Sequence, residues 1–262
     1  MNLGHLEEGD FVSRRQRFFA DVRLDNGESV VSHCANTGSM RSLLLPGARA
    51  LIGRAANPER KLPWDLQLLR LPDGPSVPDG TLACVNTALP NKLVAEALAV
   101  GRIPGIPRGA RVKPEAVAGP GTRLDFRVEP EGAPPCWIEV KNVTLVEPER
   151  PGLAMFPDAV SARGLKHLRT LMNLKAAGNR AIIFYLLNRT DARDFAPATH
   201  LDPAYAAGLK AALAAGVEAW LGFVSIYRRG GNWHVRIREI TALVKFDDTL
   251  EKSSSIYPQS GL

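Results

Sequence analysis

Apolar and polar positions alternate twice between residues 122 and 144. Leu124, Phe126 and Val128 alternate with Arg123, Asp125 and Arg127, which is the period of a half-buried strand. The segment 129–135, with Pro130, Gly132, Pro134 and Pro135, reads as a turn. From Cys136 a second strand follows, with Ile138 and Val140 on one face and Glu139 and Lys141 on the other. Upstream, residues 9–83 hold short apolar runs at 11–12, 18–24, 29–34, 48–52 and 66–71, with the turn signal Asp25-Asn26-Gly27 between two of them. Five or so short strands without a helical period predict a small barrel or sandwich. The Pro/Gly-rich stretch 71–80 marks a boundary or a long hairpin tip, and 81–85 follows as a last barrel strand or a crossover.

Helical spacing first appears at 90–100, where Leu93, Val94, Ala97, Leu98 and Val100 lie near one face. A second helix is expected to open at Phe156-Pro157-Asp158, with Val160, Leu168, Leu171 and Met172 inward and Arg163, Lys166, His167 and Arg169 elsewhere. The run 181–187 suits a buried strand, 203–215 an Ala-rich helix, and 217–227 and 233–240 two strands joined by the turn at 228–232. This order predicts a mixed α/β sheet with helices on its faces, behind an all-β N-terminal domain. The tail from Lys245 to Leu262 is polar and is expected to be mobile.

Composition narrows the class only slightly. The chain has 262 residues, 45% hydrophobic and 23% charged, as in ordinary globular proteins. It holds no run of membrane-spanning length and no apolar N-terminal signal core, and its three cysteines, Cys34, Cys84 and Cys136, lack metal-ligand spacing. A cytoplasmic protein with reduced thiols is expected. Charge is more telling: residues 1–83 balance ten Lys/Arg against ten Asp/Glu, so the whole excess of +6 lies in residues 84–262. A basic surface around an acidic site suits a polyanionic substrate.

Asp125, Glu139 and Lys141 can converge at one end of a sheet. Two carboxylates there can hold Mg²⁺ or Mn²⁺, and the lysine can orient or help deprotonate a metal-bound water. This arrangement resembles the PD-(D/E)XK nuclease signature, although a solvated hairpin face gives the same residue pattern. Arg102, Arg108, Arg111 and Lys113 form a basic run able to grip phosphates, or a solvated loop. In the first domain, Arg14 and Arg15 can contact a phosphate backbone or line a solvated strand edge. The turn from Asn36 and Thr37 to Met40 can bind an anion or simply close a loop. His167 reads as an exposed helix histidine, able to contact substrate or move a proton only if it is near the site.

Several blocks then point in one direction: residues 33–40 (His-Cys-Ala-Asn-Thr-Gly-Ser-Met), 84–87 (Cys-Val-Asn-Thr), 123–126 (Arg-Leu-Asp-Phe), 138–144 (Ile-Glu-Val-Lys-Asn-Val-Thr) and 156–159 (Phe-Pro-Asp-Ala), with Arg163-Gly164 and His167-Leu168 downstream. In their order and spacing they resemble the sugar fermentation stimulation protein A family. The resemblance implies an OB-type barrel over 1–83 and a PD-(D/E)XK nuclease-like α/β domain over 84–240; the C-terminal extension over 241–262 is longer than the family leads one to expect and is assigned no function. It also implies DNA binding linked to sugar (maltose) metabolism, with a nuclease role inferred from fold. On this resemblance Asp125, Glu139 and Lys141 match the nuclease-type triad, and Glu115 and Asp158 become possible auxiliary acids. Three functions stand open: a metal-dependent nuclease, a non-catalytic DNA-binding regulator, or, more weakly supported, a structural or small-molecule-sensing protein that reaches sugar metabolism indirectly.

Overall fold

The structure, a computed structural model, describes residues 1–74, 77–78 and 80–243. The whole of the expected tail, 245–262, lies outside the described residues. The chain opens with β1 (Asn2–Gly4), then runs through β2 (Glu7–Arg15), β3 (Phe19–Leu24), β4 (Ser29–His33), β5 (Arg49–Arg54), β6 (Trp64–Arg70) and β7 (Leu82–Cys84). Strands β2 to β6 pair in the order β4-β3-β2-β5-β6, and a parallel β4–β6 pairing closes the ring into a five-stranded barrel. Alternation explains each strand: in β3, Ala20, Val22 and Leu24 are buried while Arg23 is exposed. Gly9 is required where β2 crosses β3, because a Cβ there would lie 2.4 Å from the Arg23 carbonyl oxygen.

The second half comprises α1 (Leu89–Ala99), β8 (Arg111–Gly119), β9 (Thr122–Glu129), β10 (Cys136–Val143), β11 (Leu145–Val146), β12 (Leu153–Phe156), α2 (Ala162–Ala176), β13 (Arg180–Leu187), β14 (Asp194–Pro197), α3 (Pro203–Ala214), β15 (Glu218–Arg229) and β16 (Asn232–Ala242). Seven strands form one mixed sheet in the order β1-β16-β15-β13-β10-β9-β8. β11, β12 and β14 form a small separate sheet. The sheet has a helix layer on each side. Leu93, Val94 and Leu98 of α1 pack with Ile138 and Val140, whereas Leu168 and Leu171 of α2 and Leu209 of α3 pack with Ile183 and Tyr185 on the other face.

Three expectations need correction. Residues 2–4 pair with β16 and so belong to the α/β sheet rather than the barrel. The second helix starts at Ala162, not near Phe156: Phe156 ends β12, and the Ser161 side chain caps the helix by accepting from the Gly164 N–H. A serine hydroxyl satisfies a free helix N–H in a way that Pro157 cannot. Consequently Val160 precedes the helix and is 79% exposed, outside any inward stripe. Val100 likewise falls just past α1 and is exposed.

The two domains share a core and a polar seam. Leu6, Leu51 and Leu68 from the barrel side pack with Trp233 and Val235 of the sheet. Ser42 Oγ donates to the Thr144 carbonyl at 3.1 Å and accepts from the Val146 N–H at 3.1 Å and from Arg189 Nη1 at 3.0 Å. Arg189 is itself buried against Asp191, with bonds of 2.8 and 2.6 Å.

Candidate active site

β9 and β10 pair only over Val128↔Cys136, Arg127↔Trp137 and Phe126↔Ile138. Beyond that point the two strands part, while β10 continues in register with β13 through Val143↔Leu187. The parting opens a notch beside Glu139, and the Asp125 side chain takes the place of the missing strand partner. Its Oδ2 accepts from the Val140 N–H at 2.7 Å, and its Oδ1 accepts from Asn91 Nδ2 of α1 at 2.7 Å.

Glu139 projects toward α2 and is only 4% exposed. Its Oε1 accepts from Lys141 Nζ at 2.6 Å and from His167 Nδ1. Arg163 Nε points at His167 Nε2 from 3.5 Å, which assigns the ring proton to Nδ1. His167 is therefore buried, in correction of the exposed position expected from the sequence. The reason is helical phase: Gly164, His167, Leu168 and Leu171 form the inward stripe of α2. Gly164 lets that stripe come close, because a Cβ there would lie 3.0 Å from Tyr205 Cε2 of α3.

The two carboxylates sit in opposite electrostatic states. Burial and the nearby Glu139 charge raise the Asp125 pKa to about 6, despite its two hydrogen bonds. For Glu139, burial pushes upward, but the His167 hydrogen bond and the Lys141 ammonium outweigh it and hold the carboxyl below its ordinary range. Glu139 is thus an anion that the protein supports, and Asp125 an anion that it supports poorly. Oε2 of Glu139 has no hydrogen-bond partner among the described residues.

This donor set fits a hard divalent cation better than a zinc ion. Among the described residues no group of three or more His, Cys, Asp or Glu can hold a metal, so a closed zinc site is absent there. Two carboxylates are enough for Mg²⁺ or Mn²⁺, since Mg²⁺ usually keeps several of its waters. The poorly supported charge on Asp125 is also what a cation would relieve.

The other candidates are distributed around this centre. Glu115 lies on β8 between the pairs Pro114↔Phe126 and Ala116↔Leu124, beside Asp125 in the ladder, but is exposed and has a left-handed φ of 49°. Asp158 does not join Asp125 and Glu139. It binds the barrel, with Oδ2 accepting from the Ser39 N–H at 3.0 Å and from its hydroxyl at 2.7 Å. Arg14 is committed to the same loop, donating to the carbonyls of Asn36 at 2.6 Å and Gly38 at 3.0 Å. Arg15 is paired with Asp21. Asn36 is buried and Thr37 is exposed. Arg108, Arg111 and Lys113 are all exposed, and Lys113 pairs with Arg127, two residues along β9 from Asp125. Asn91 was not foreseen. Its only sequence signal was its place in the first turn of a helix that packs on the site's strands.

With this geometry in view, comparison with known proteins is informative. Residues 12–85 match the SfsA N-terminal OB domain, and residues 88–227 match the sugar fermentation stimulation protein RE domain. A sugar fermentation stimulation protein homolog of Acidithiobacillus ferrooxidans is 43% identical over 218 residues, covering 83% of this chain and 90% of that protein. The homolog of Rhodospirillum rubrum is 44% identical over 223 residues, covering 82% and 88%. Pyrococcus furiosus SfsA, solved in complex with Ca²⁺, superposes with a TM-score of 0.77 at 27% identity, covering 90% of this chain and 95% of that one. Together with the closed barrel and the α/β sheet behind it, these matches show that the chain belongs to the sugar fermentation stimulation protein (SfsA) family.

Proposed function

We propose that the protein is a metal-dependent phosphodiesterase of the PD-(D/E)XK kind acting on nucleic acid, with DNA as the expected substrate. The observation that carries this reading is the meeting of Asp125, Glu139 and Lys141 where β9 and β10 part, with the Asp125 pKa raised by burial and by the Glu139 charge. The Ca²⁺ complex of the P. furiosus relative supports a divalent site in the family fold.

Each side chain has a distinct task. Asp125 and Glu139 would hold the metal, which when bound would stabilise charge on the phosphate and supply an activated water. His167 fixes the rotamer of Glu139 through Nδ1, leaving Oε2 free for the ion. Lys141, a donor without a lone pair while protonated, orients water or meets developing charge rather than ligating. Arg108, Arg111 and Lys113 give the strand a basic approach along the β8 edge. No helix among the described residues is long and apolar enough to cross a membrane. All three cysteines are free and buried, in keeping with the reducing cytoplasm that we infer.

A second reading has its own support. Lys141 neutralises Glu139 within the protein and His167 adds a hydrogen bond, as a retired site on a DNA-binding regulator of sugar (maltose) metabolism would allow. The relatives' name, sugar fermentation stimulation protein, points the same way. Incubating the purified protein with single- and double-stranded DNA and RNA in Mg²⁺, Mn²⁺ or EDTA separates the two. We expect metal-dependent cleavage that falls roughly 10²- to 10³-fold in Lys141→Ala, the scale of losing one charge-stabilising donor. Binding without cleavage under every condition would leave the regulator.

A further inference from the structure

At the seam between barrel and sheet lies a cavity of about 190 Å³, lined by Asn36, Thr87, Asn142, Thr144, Phe156 and Asp158, with Leu145 and Met155 behind. It is tied to the carboxylate pair through two elements, β10 and the start of α1. Asn142 follows Lys141 on β10 and takes the opposite face of the strand, and Thr87 lies just ahead of α1, four residues before Asn91, the residue that holds Asp125. We propose that this cavity receives one unpaired nucleobase of the strand whose phosphate reaches Asp125 and Glu139. The inference rests on the nucleic-acid reading above and adds to it the form of the substrate.

The lining selects the ligand. Asn36 is 7% exposed, and its Oδ1 is occupied by the Gly38 N–H at 2.8 Å. Its amide NH2 finds no acceptor among the described residues. Asn142 Oδ1 likewise accepts from Asn188 at 2.9 Å, leaving a second NH2 group without a partner there. Thr144 adds a largely buried hydroxyl, and Asp158 uses Oδ2 for Ser39, leaving Oδ1 as an acceptor. A phosphate would be repelled by Asp158, and a cation would meet the two amide donors. A base edge carries both donors and acceptors, so it can satisfy both kinds of group. Phe156 supplies a half-buried ring fixed from behind by Tyr205, at 5.1 Å between centroids, and by Tyr185, at 5.9 Å. An aromatic wall beside convergent polar groups is how enzymes hold a base taken out of its stack.

The cavity is smaller than the roughly 300–1,000 Å³ of pockets that take drug-sized ligands. The edge groups that its donors and acceptors would bind are already occupied in a base pair. A duplex must therefore open before it can use the site, so single strands or frayed ends are preferred.

The test compares a short DNA single strand, the same strand with every base replaced by an abasic tetrahydrofuran, and its duplex, with EDTA present so that no cleavage intervenes. Wild-type protein should bind the base-bearing single strand about tenfold more tightly than the abasic one, the scale of one stacked base, and more tightly than the duplex. Thr87→Phe, which places a ring in the cavity from its exposed rim, and Asn142→Ala, which removes a donor, should each abolish that difference while leaving abasic binding unchanged. Equal binding of the base-bearing and abasic strands by wild type, or equal loss for both strands in both variants, overturns the proposal. If neither strand binds, in EDTA or with Ca²⁺ in its place, the nucleic-acid reading falls with it.

Discussion

Asp21 of the barrel and Asp125 of the α/β sheet both sit on strands beside a second ionisable group, yet they are driven in opposite directions. Asp21 receives two hydrogen bonds from Arg15, at 2.6 and 2.7 Å, and one from Ser13 at 2.6 Å. The Arg15 bond, then the Ser13 bond, bring its pKa down to about 2. Asp125 receives two neutral donors and faces a carboxylate, and its pKa rises to about 6. The contrast extends around each residue. On the barrel, Asp10 is shared by Arg23 and Arg49, Asp25 is bound by Arg49, and Glu8 by Arg70, so acids and bases cancel locally. In the sheet, a single lysine and a histidine serve the half-buried Asp125 and the buried Glu139, both favouring Glu139. A site that leaves one charge poorly supported is prepared for a partner that brings the missing charge. Asp10, Asp21, Asp25 and Glu8 of the barrel have no such unmet need.

The largest expected effect concerns the seam that holds the two regions together. Arg189→Ala leaves Asp191 buried without a partner and removes donors to Ser42 and to the Thr144 carbonyl. Breaking a buried ion pair from one side costs about 3–5 kcal/mol, so chemical denaturation should show a loss of that size. A loss under about 1 kcal/mol would mean that barrel and sheet are held by their apolar contact alone.

How much of this contrast was legible in the chain varies by element. The barrel strands and the alternation across Asp125, Glu139 and Lys141 could be read directly, because period-2 patterning survives whatever the strands pack against. The parting of β9 and β10 could not: register beyond Phe126↔Ile138 is decided in three dimensions by where β13 and α1 draw β10. His167 was misjudged for a local reason. Leu168 and Leu171 already marked the face that 164 and 167 share, and His167 was assigned to the surface for its polarity rather than its spacing. The roles of Arg14 and Asp158 as loop ties depend on contacts between segments 22 and 119 residues apart, beyond the reach of any spacing rule.

Intermediate in size is the pH dependence of Asp125. Its folded pKa of about 6 lies above the ordinary 3.8, so its contribution to stability is present in full below 3.8 and is lost as pH rises through 6. Asp125→Asn abolishes this loss. The variant should therefore be more stable than wild type at pH 8 by on the order of 2 kcal/mol in metal-free buffer, with little difference at pH 3.5. Urea titrations at the two pH values check this, and a destabilised variant at pH 8 would show that the Asp125 charge is well supported after all.

Asp21→Asn should give the smallest effect, with the opposite sign. Its folded pKa of about 2 lies below the ordinary value, so its stabilisation is present above 3.8 and lost as pH falls through 2. Because its partner Arg15 is 55% exposed, solvent screening limits the destabilisation at neutral pH to about 1 kcal/mol or less. Thermal melts at pH 7 and pH 2 should show a small gap that closes on acidification. A gap that persists at pH 2 would trace the effect to packing instead of charge.

The contrast rests on the claim that Asp125 and Glu139 together form a site for one divalent cation, with Lys141 beside it but not a ligand. Calorimetric titration of Mn²⁺ into wild type, Asp125→Asn and Lys141→Ala tests that claim most directly. One ion should bind wild type, none should bind Asp125→Asn, and Lys141→Ala should bind at least as tightly as wild type because a competing cation has left Glu139. Wild-type protein that takes up no divalent ion at millimolar concentration, even with nucleic acid present, would contradict the account.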